Sequence, residues 1–401
     1  MTDIEETAAV AVEWTAAPGS AWRAMRLWGL AHAVDDLYQG LVPASVPYFV
    51  LDRHYGYVAA AGLTLAATLG SSVPQPFVGV LVDRFRLGWL PAAGIAVAGG
   101  GLGLSGLVPG YAAVWALILV SGLGVAMFHP AAGKAARAAA GDSAGAMSIF
   151  AAGGSVGFFL APVLATPALV AWGVGATALF IPPAALLAFL LLRARRRAGA
   201  PAASAAVPTG ADQWRPFLVL TSIEVVRSTV FFGVNTFIEL YWIRQLHTSR
   251  AVAATALACF LGGGVLGTLL GGRIADRIGL VRTVRLGALA AVPMLVGLRF
   301  APGGLLPLVF AALAGIALNI PFAVLVKLGQ DYLPTRPGTA AGVTLGLAVS
   351  IGGLIAPVFG LVADAHGPQG VLALLCAVPL AAFGLGLFLA DPARPGGRAA
   401  V

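Results

Sequence analysis

A short polar signature occurs twice along this chain, and each copy ends a long apolar stretch. The pattern Gly-x-x-x-Asp-Arg begins at Gly79 and again at Gly272, 193 residues later in a chain of 401 residues. Twelve apolar stretches surround the two copies, six in each half. Apolar stretches in two matching sets, joined by short polar turns, predict a duplicated bundle of membrane helices.

The composition excludes a soluble protein of this length. Hydrophobic residues make up 59% of the chain and charged residues 10%, whereas soluble domains carry about 25% charged residues. A chain with so little polar surface needs lipid as its solvent, and about 20 apolar residues span a bilayer as a helix. The predicted fold class is an all-α membrane protein with twelve transmembrane helices in two pseudo-symmetric halves of six helices each.

The apolar stretches predict the span boundaries. The predicted spans are 26–51, 57–82, 88–108, 111–133, 143–168, 171–192, 215–244, 250–273, 281–301, 304–328, 338–363 and 369–390. The predicted domains are an N-terminal tail at 1–25, a six-helix half at 26–192, a linker at 193–214, a second half at 215–390 and a C-terminal tail at 391–401. The linker turns rich in Ala, Pro and Ser, a composition typical of a flexible connection.

Lysine and arginine predict the orientation, because they concentrate on the cytoplasmic side of membrane proteins. With the N-terminus in the cytoplasm, 19 of the 24 Lys and Arg residues lie on the cytoplasmic side and four lie outside. Both termini are then cytoplasmic. The net charge of +8 follows from this topology and from attraction to anionic lipid, so a nucleic acid partner is not required.

The repeat extends beyond the signature. Ser155 and Pro162 in the fifth span correspond to Ser350 and Pro357 in the eleventh span. Six spans in each half, with both halves starting on the same side, predict parallel repeats related by an axis along the membrane normal.

The second signature carries a resemblance to a known family. Gly272, Asp276, Arg277, Gly279 and Arg282 resemble a cytoplasmic signature of the major facilitator superfamily of transporters, and the first copy is a shortened form. Within that superfamily, the first half resembles the fosmidomycin-resistance group of bacterial exporters. The stretches that carry this second resemblance are residues 32–44, 75–79 and 128–130, followed by Lys134 and Arg137.

The resemblance implies a secondary active transporter, not an enzyme. It implies a proton-coupled antiporter that exports small toxic or antibiotic-like molecules by alternating access, as a monomer in a bacterial inner membrane. The implied partners are a small-molecule substrate, protons and membrane lipids, with a proton gradient in place of a cofactor. The implied gating residues are Asp83, Arg84, Asp276 and Arg277. An aspartate at a helix end can accept hydrogen bonds from the start of a facing helix and pair with arginine.

Polar residues in the first and fourth spans are candidates for carrying the proton. Ionisable groups inside lipid cost several kcal/mol, so each one needs a reason. His32 lies one helical turn from Asp35 and Asp36, and His129 precedes Pro130 in the fourth span. The alternative is that the carboxylates bond a neighbouring helix and His129 only packs.

The seventh span carries a second polar group. Glu224 and Arg227 lie three residues apart at a similar depth, and Glu224 is a further candidate proton carrier. The predicted substrate-binding residues are Gln39, Gln75, Arg227, Phe231 and Asn235. The alternative for Arg227 is that Glu224 neutralises it and the pair only packs.

Two other functions remain open from the sequence. A proton-coupled symporter could import a small organic anion held by Arg227, and a non-transporting membrane sensor could keep the same fold. The sequence contains no Gly-x4-Gly-Lys-Ser/Thr nucleotide motif, no catalytic Ser/His/Asp or Cys/His set and no recognisable metal-ligand spacing. We therefore expect no ATP-driven step, no enzymatic activity and no metal.

Overall fold

The computed structural model describes residues 18–55, 57–85, 87–198, 210–302 and 304–392. Within these ranges the chain forms helices joined by short turns, and no strand occurs. Most of both predicted tails and the centre of the predicted linker lie outside the described residues. The domain boundaries that depend on them stay predictions.

The helices follow the predicted order of twelve spans. Their bounds are α1 Pro18–Arg53, α2 Tyr57–Ser72 and Gln75–Arg84, α3 Leu90–Ser105, α4 Tyr111–Ala140, α5 Ala144–Trp172, α6 Ile181–Ala198, α7 Trp214–Arg244, α8 Arg250–Ile278, α9 Leu280–Phe300, α10 Leu305–Asn319 and Phe322–Tyr332, α11 from Pro337–Ala341 through Gly342–Leu347 and Ala348–Leu354 to 366, and α12 at 368–386. A 3₁₀ segment, Gly173–Phe180, precedes α6.

Length and composition support a membrane location for these helices. Eight helical stretches of the described chain are long and apolar enough to cross a membrane, and one of them, Ala144–Arg196, covers α5 and most of α6. The shorter apolar helices Leu90–Ser105 and Pro337–Ile351 add α3 and α11. The span with the most internal charge, α1, has 36 residues, about 54 Å of helix, which exceeds the roughly 30 Å of a bilayer core.

Three spans that the sequence predicts as continuous helices are interrupted. The break in α2 lies just before Gln75, at Pro74, and the break in α10 lies at Pro321. Proline removes a backbone N–H and clashes with the preceding turn, yet α4 continues through Pro130. In α11 the segment Gly342–Leu347 is π-helical, a local form that is frequent at functional sites.

The two sets of six helices have separate apolar cores that meet at one end. Val326, Ala341 and Leu345 from the last six helices pack into the core of the first six. Ala144, at the start of α5, packs into a core of the last six helices. We call this end the signature end, because α2 and α8 finish there with the repeated Gly-x-x-x-Asp-Arg pattern.

Candidate functional site

Asp83 joins the two halves at the signature end. It lies in the last turn of α2 and accepts hydrogen bonds from the start of α11: from the backbone N–H groups of Gly338 and Thr339, both at 2.8 Å, and from the Thr339 hydroxyl at 2.7 Å. Lys134 Nζ in α4 lies 3.2 Å from Asp83 Oδ1. A carboxylate at a helix start meets unpaired N–H groups and the positive end of the helix dipole.

Asp276 repeats this contact between α8 and α5. It accepts hydrogen bonds from the backbone N–H of Ala144 at 2.7 Å and of Gly145 at 2.8 Å, and from the Ser143 hydroxyl at 3.3 Å. At each copy of the signature, an aspartate near the end of one helix therefore binds the start of a helix in the other half.

The glycine of each signature allows the helices to approach closely enough for these bonds. A Cβ atom on Gly79 would lie 2.6 Å from the Gly338 carbonyl oxygen, and one on Gly272 would lie 2.5 Å from the Ala144 carbonyl oxygen. Both distances are shorter than real Cβ contacts. The spacing Gly-x-x-x-Asp thus places a contact surface and a hydrogen-bond acceptor one turn apart on the same face.

Neither aspartate pairs with the arginine that follows it in this conformation, and the gating role of the arginines stays a prediction. Arg84 and Arg277 are exposed, and in the described part of the chain neither forms an ion pair with Asp83 or Asp276. The cation beside Asp83 is Lys134. Adjacent residues on a helix point about 100° apart, so the arginine turns away when the aspartate faces the partner helix.

A third polar contact crosses the signature end, and the sequence does not predict it. Asp331 in α10 accepts from Arg137 Nη2 of α4 at 2.6 Å and from Lys327 Nζ at 2.6 Å. Gln330 Nε2 donates to the Gly133 carbonyl oxygen at 3.0 Å. The available signal was the i,i+4 spacing of Lys327 and Asp331 near the end of a span.

Four of the five predicted proton-carrying residues meet inside the first six helices. His32 Nε2 lies 3.4 Å from Asp36 Oδ2, and His129 Nε2 lies 3.2 Å from Asp36 Oδ1. His129 Nδ1 lies 3.3 Å from Asp35 Oδ2, and the two Nε2 atoms are 3.3 Å apart. We call this group the His–Asp cluster: His32, Asp35, Asp36 and His129.

Neighbouring groups fix both histidine rings. His32 Nδ1 lies 2.7 Å from the Phe150 carbonyl oxygen, and its ring stacks on the Phe150 ring at 4.3 Å. His129 Nδ1 lies 3.1 Å from the Val125 carbonyl oxygen. Asp35 is fully buried, whereas 16% of the Asp36 side chain is exposed, so Asp36 is the aspartate with access to its surroundings.

The His–Asp cluster contains more acceptors than donors. Both oxygens of Asp35 and Oδ1 of Asp36 are buried without an aligned hydrogen-bond donor among the described residues. The nearby histidine nitrogens are close to these oxygens but do not meet hydrogen-bond geometry. Buried acceptors without donors are unfavourable, so this arrangement favours the uptake of positive charge.

Glu224 lies in the other half and belongs to a different kind of group. Arg227 binds both of its oxygens, Nε to Oε2 at 2.9 Å and Nη2 to Oε1 at 2.6 Å. Arg227 Nη1 also lies 3.4 Å from Asn319 Oδ1, and the guanidinium lies 4.7 Å from the centre of the Phe322 ring. Both charges are buried and satisfied. The sequence did not predict a role for Asn319, an amide in an otherwise apolar helical segment.

The predicted substrate-binding residues are not joined into one site. Gln75 is buried, Gln39 and Asn235 are partly buried, and the Phe231 ring lies 5.5 Å from the Phe260 ring. In the part of the chain that the structure describes, no hydrogen bond or ring contact links any two of the five predicted residues. Their role in binding stays a prediction.

A comparison with known families agrees with the helix order and with the contacts at the signature end. The model of the Major Facilitator Superfamily matches residues 29–357, with a second match over 220–400. The chain belongs to the Major Facilitator Superfamily. Members of this superfamily are transporters of small molecules, typically monomeric, and the chain is therefore an integral membrane transporter and not an enzyme.

Two curated relatives resemble the chain along most of its length. The fosmidomycin resistance protein of Escherichia coli (strain K12) is 29% identical over 378 residues, which cover 90% of this chain and 91% of the relative. The uncharacterized MFS-type transporter YfnC of Bacillus subtilis (strain 168) is 30% identical over 367 residues, 88% of this chain and 89% of the relative.

Solved structures confirm the major facilitator fold. The Escherichia coli fucose:proton symporter FucP superposes with a TM-score of 0.70 at 16% sequence identity, covering 92% of this chain and 99% of FucP. A structure of FucP in the outward conformation gives a TM-score of 0.68 at 17% identity, with 93% and 98% covered. At these identities the likeness concerns the fold alone.

Proposed function

We propose that this superfamily member exports small toxic or antibiotic-like molecules from the cytoplasm in exchange for protons, by alternating access. The observation that carries the proposal is the His–Asp cluster, a buried group with unpaired acceptors inside one half of a membrane transporter. The direction of transport and the substrate class rest on the relative named for fosmidomycin resistance. A membrane transporter can give resistance by removing a toxic compound from the cell.

The His–Asp cluster is the proposed proton site. Protonation of Asp35 or Asp36 removes a negative charge that is unfavourable inside a bilayer. Asp36, the aspartate with partial exposure, is the proposed point at which protons enter and leave the His–Asp cluster. Glu224 is bound on both oxygens by Arg227, so we assign it a structural role.

The contacts at the signature end are the proposed gate. The bonds of Asp83, Asp276 and Asp331 hold the two halves together there. Alternating access requires these bonds to break when the signature end opens and to form again when it closes. The cost of breaking them is recovered in the opposite conformation or from substrate and proton binding.

The proposed orientation places both termini and the signature end in the cytoplasm of a bacterial cell, with the transporter in its inner membrane. The excess of Lys and Arg on that side supports it and also favours contact with anionic lipid. Arg53→Cys should react with a membrane-impermeant thiol reagent from outside, and Arg195→Cys only after the membrane is opened. Both are made in a background with Cys259→Ser and Cys376→Ser, and the reverse accessibility would overturn the orientation.

Import of an organic anion held by Arg227 is the rival within transport. The buried, doubly bonded state of Arg227 argues against it, because an anion would have to displace Glu224. A labelled organic acid should therefore not accumulate with protons in vesicles that contain this protein.

The test uses the purified full-length chain. Thermal unfolding in the presence of antibiotics, including fosmidomycin, and of small organic acids identifies ligands, because a bound ligand raises the unfolding temperature. Proteoliposomes with an internal pH dye then report proton movement. We expect protons to move opposite to the antibiotic. Movement in the same direction would make the protein a symporter, and ligand binding without any flux would make it a sensor.

A further inference from the structure

The two histidines of the His–Asp cluster direct their free nitrogens at each other. The Nδ1 atoms lie beside backbone carbonyl oxygens, at 2.7 Å for His32 and 3.1 Å for His129. A neutral imidazole has one N–H and one acceptor nitrogen, so each Nδ1 is the donor and each Nε2 presents a lone pair. The two Nε2 atoms are only 3.3 Å apart, and two lone pairs at this distance repel unless a cation lies between them.

Asp36 completes a set of three acceptors. Its Oδ2 lies 3.4 Å from His32 Nε2 and its Oδ1 lies 3.2 Å from His129 Nε2. One ligand atom from each of the three residues lies within 4.8 Å of the other two. Ligands at about 2.0–2.1 Å from a tetrahedral zinc ion are about 3.3 Å from one another, so the nitrogen spacing is that of a coordination shell.

We infer that His32, His129 and Asp36 bind a divalent transition-metal cation of the Zn²⁺ class. Two imidazole nitrogens and one carboxylate suit zinc and its first-row neighbours better than magnesium or calcium, which prefer oxygen. Three protein ligands leave the fourth tetrahedral position for water.

Asp35 supports the same inference through its negative charge. Its Oδ2 lies 3.3 Å from His129 Nδ1, on the side of the ring away from the proposed metal. The Val125 carbonyl oxygen accepts from His129 Nδ1 and is the outer partner of this ligand, and Asp35 adds a negative charge behind the same ring. The two carboxylates also carry two negative charges, which one divalent cation neutralises in this buried place.

The sequence shows no metal-ligand spacing because His129 is 97 residues from His32 and only packing brings them together. Our inference of a metal site therefore replaces the expectation of no metal. A metal ion would occupy the lone pairs that protons use, so Zn²⁺ should inhibit transport. That consequence rests on the proposed function, whereas metal binding itself does not.

Direct binding measurements test the inference without substrate or gradient. The full chain is purified without a polyhistidine tag, stripped with a chelator, and titrated with Zn²⁺ by calorimetry and with Co²⁺ by visible absorption, in which tetrahedral Co²⁺ absorbs strongly. We expect one ion per chain. His32→Ala, His129→Ala and Asp36→Asn should each weaken binding at least about tenfold, since even outer partners change metal affinity by roughly 10–100-fold.

The matched control removes the other three histidines of the chain. His54, His247 and His366 are exposed, and changing all three to Ala should leave the affinity unchanged. Loss of binding in this triple variant would show surface binding and overturn the inference. So would a wild-type affinity no higher than that of His32→Ala.

Two further variants keep all three ligands, in case a ligand variant does not fold. A Cβ atom on Gly154 would lie 2.3 Å from Asp36 Oδ2 and 2.7 Å from His32 Nε2, so Gly154→Ala should fill the site and lower the affinity. Asp35→Asn removes a negative charge behind the His129 ring and should lower the affinity as well. Unchanged affinity in both would overturn the inference. Antibiotic-dependent proton flux in the wild-type protein would survive that result, so the two proposals can fail separately.

Discussion

The two halves of this transporter carry buried charges at corresponding places but treat them in opposite ways. In the first half, α1 and α4 bring together two histidines and two aspartates whose acceptors lack aligned donors. In the second half, α7 and α10 enclose Glu224 and Arg227, which satisfy each other through two bonds. One cluster is ready to accept positive charge, and the other is already neutral.

A duplicated fold therefore need not duplicate its chemistry. A saturated ion pair changes little when its surroundings change, because each charge keeps its partner. A cluster with unfilled acceptors responds to every proton or cation that reaches it. The proposed coupling site therefore lies in the first half, and the ion pair in the second half serves to stabilise its helices.

Neutralising the aspartates of the His–Asp cluster should have the largest effect on transport. We expect the double variant Asp35→Asn, Asp36→Asn to lose nearly all gradient-driven transport while substrate still binds. The physical reason is that both acidic proton carriers of the His–Asp cluster are gone, whereas the packing volume is kept. Proton flux in proteoliposomes measures the loss, and ligand-dependent thermal unfolding checks binding.

Should the double variant retain full pH-driven transport, α1 is structural, and the proton site must be sought at Glu224 or His129. The matched change Glu224→Gln serves as the control, and we expect it to leave the proton-to-substrate ratio unchanged.

Breaking the Glu224–Arg227 ion pair should lower the stability of the protein and should not change proton coupling. Glu224→Gln leaves Arg227 buried without its counter-charge, and removing one partner of a buried ion pair costs about 3–5 kcal/mol. Glu224→Gln combined with Arg227→Gln should recover much of this loss, because no unpaired charge remains. Thermal and denaturant unfolding of the three proteins measures it. Equal stability of the single variant and the wild type would show that Arg227 finds another partner.

The sequence predicts the order of the twelve spans well, because hydropathy over 20 residues reports the lipid environment directly. It does not predict the breaks at Pro74 and Pro321. Pro130 leaves its helix continuous, so whether a proline interrupts a helix depends on the surrounding packing. The π-helical part of α11 carries no sequence signal at all.

The sequence likewise predicts only part of each candidate site, because the rest depends on how the helices pack. The spacing of His32 and Asp36 is visible within one helix, whereas the meeting with His129 depends on how α1 and α4 pack. The signature locates Asp83 and Asp276 at helix ends, but the identity of the cation beside Asp83 depends on α4. Local periodicity thus finds the residues, and tertiary contacts decide their partners.

The hydrogen bonds that Asp83 and Asp276 accept at the signature end allow a test in which we expect smaller effects of two different sizes. Asp83→Asn and Asp276→Asn should both favour opening, since hydrogen bonds to a charged group contribute about 1.5–3 kcal/mol each. Asp83→Asn should have the larger effect, because Asp83 also pairs with Lys134. Ser148 is buried against Gly272, so the thiol labelling rate of Ser148→Cys in the cysteine-free background reports opening. We expect it to rise about tenfold, which corresponds to 1.4 kcal/mol. An equal rise in both variants would show that Lys134 adds nothing to the contact that Asp83 makes.

The smallest effects should come from the arginines that follow the two aspartates. Family resemblance gives Arg84 and Arg277 a gating role, yet both are exposed in this conformation, and substitutions at such positions usually change the free energy by at most about 0.5 kcal/mol. Arg84→Gln and Arg277→Gln should therefore change the labelling rate of Ser148→Cys by only about twofold. A rise as large as that of Asp83→Asn would mean that the arginines hold the closed gate through bonds absent from this structure. If transport slows while labelling does not change, the arginines act in the opposite conformation, where the signature end is open.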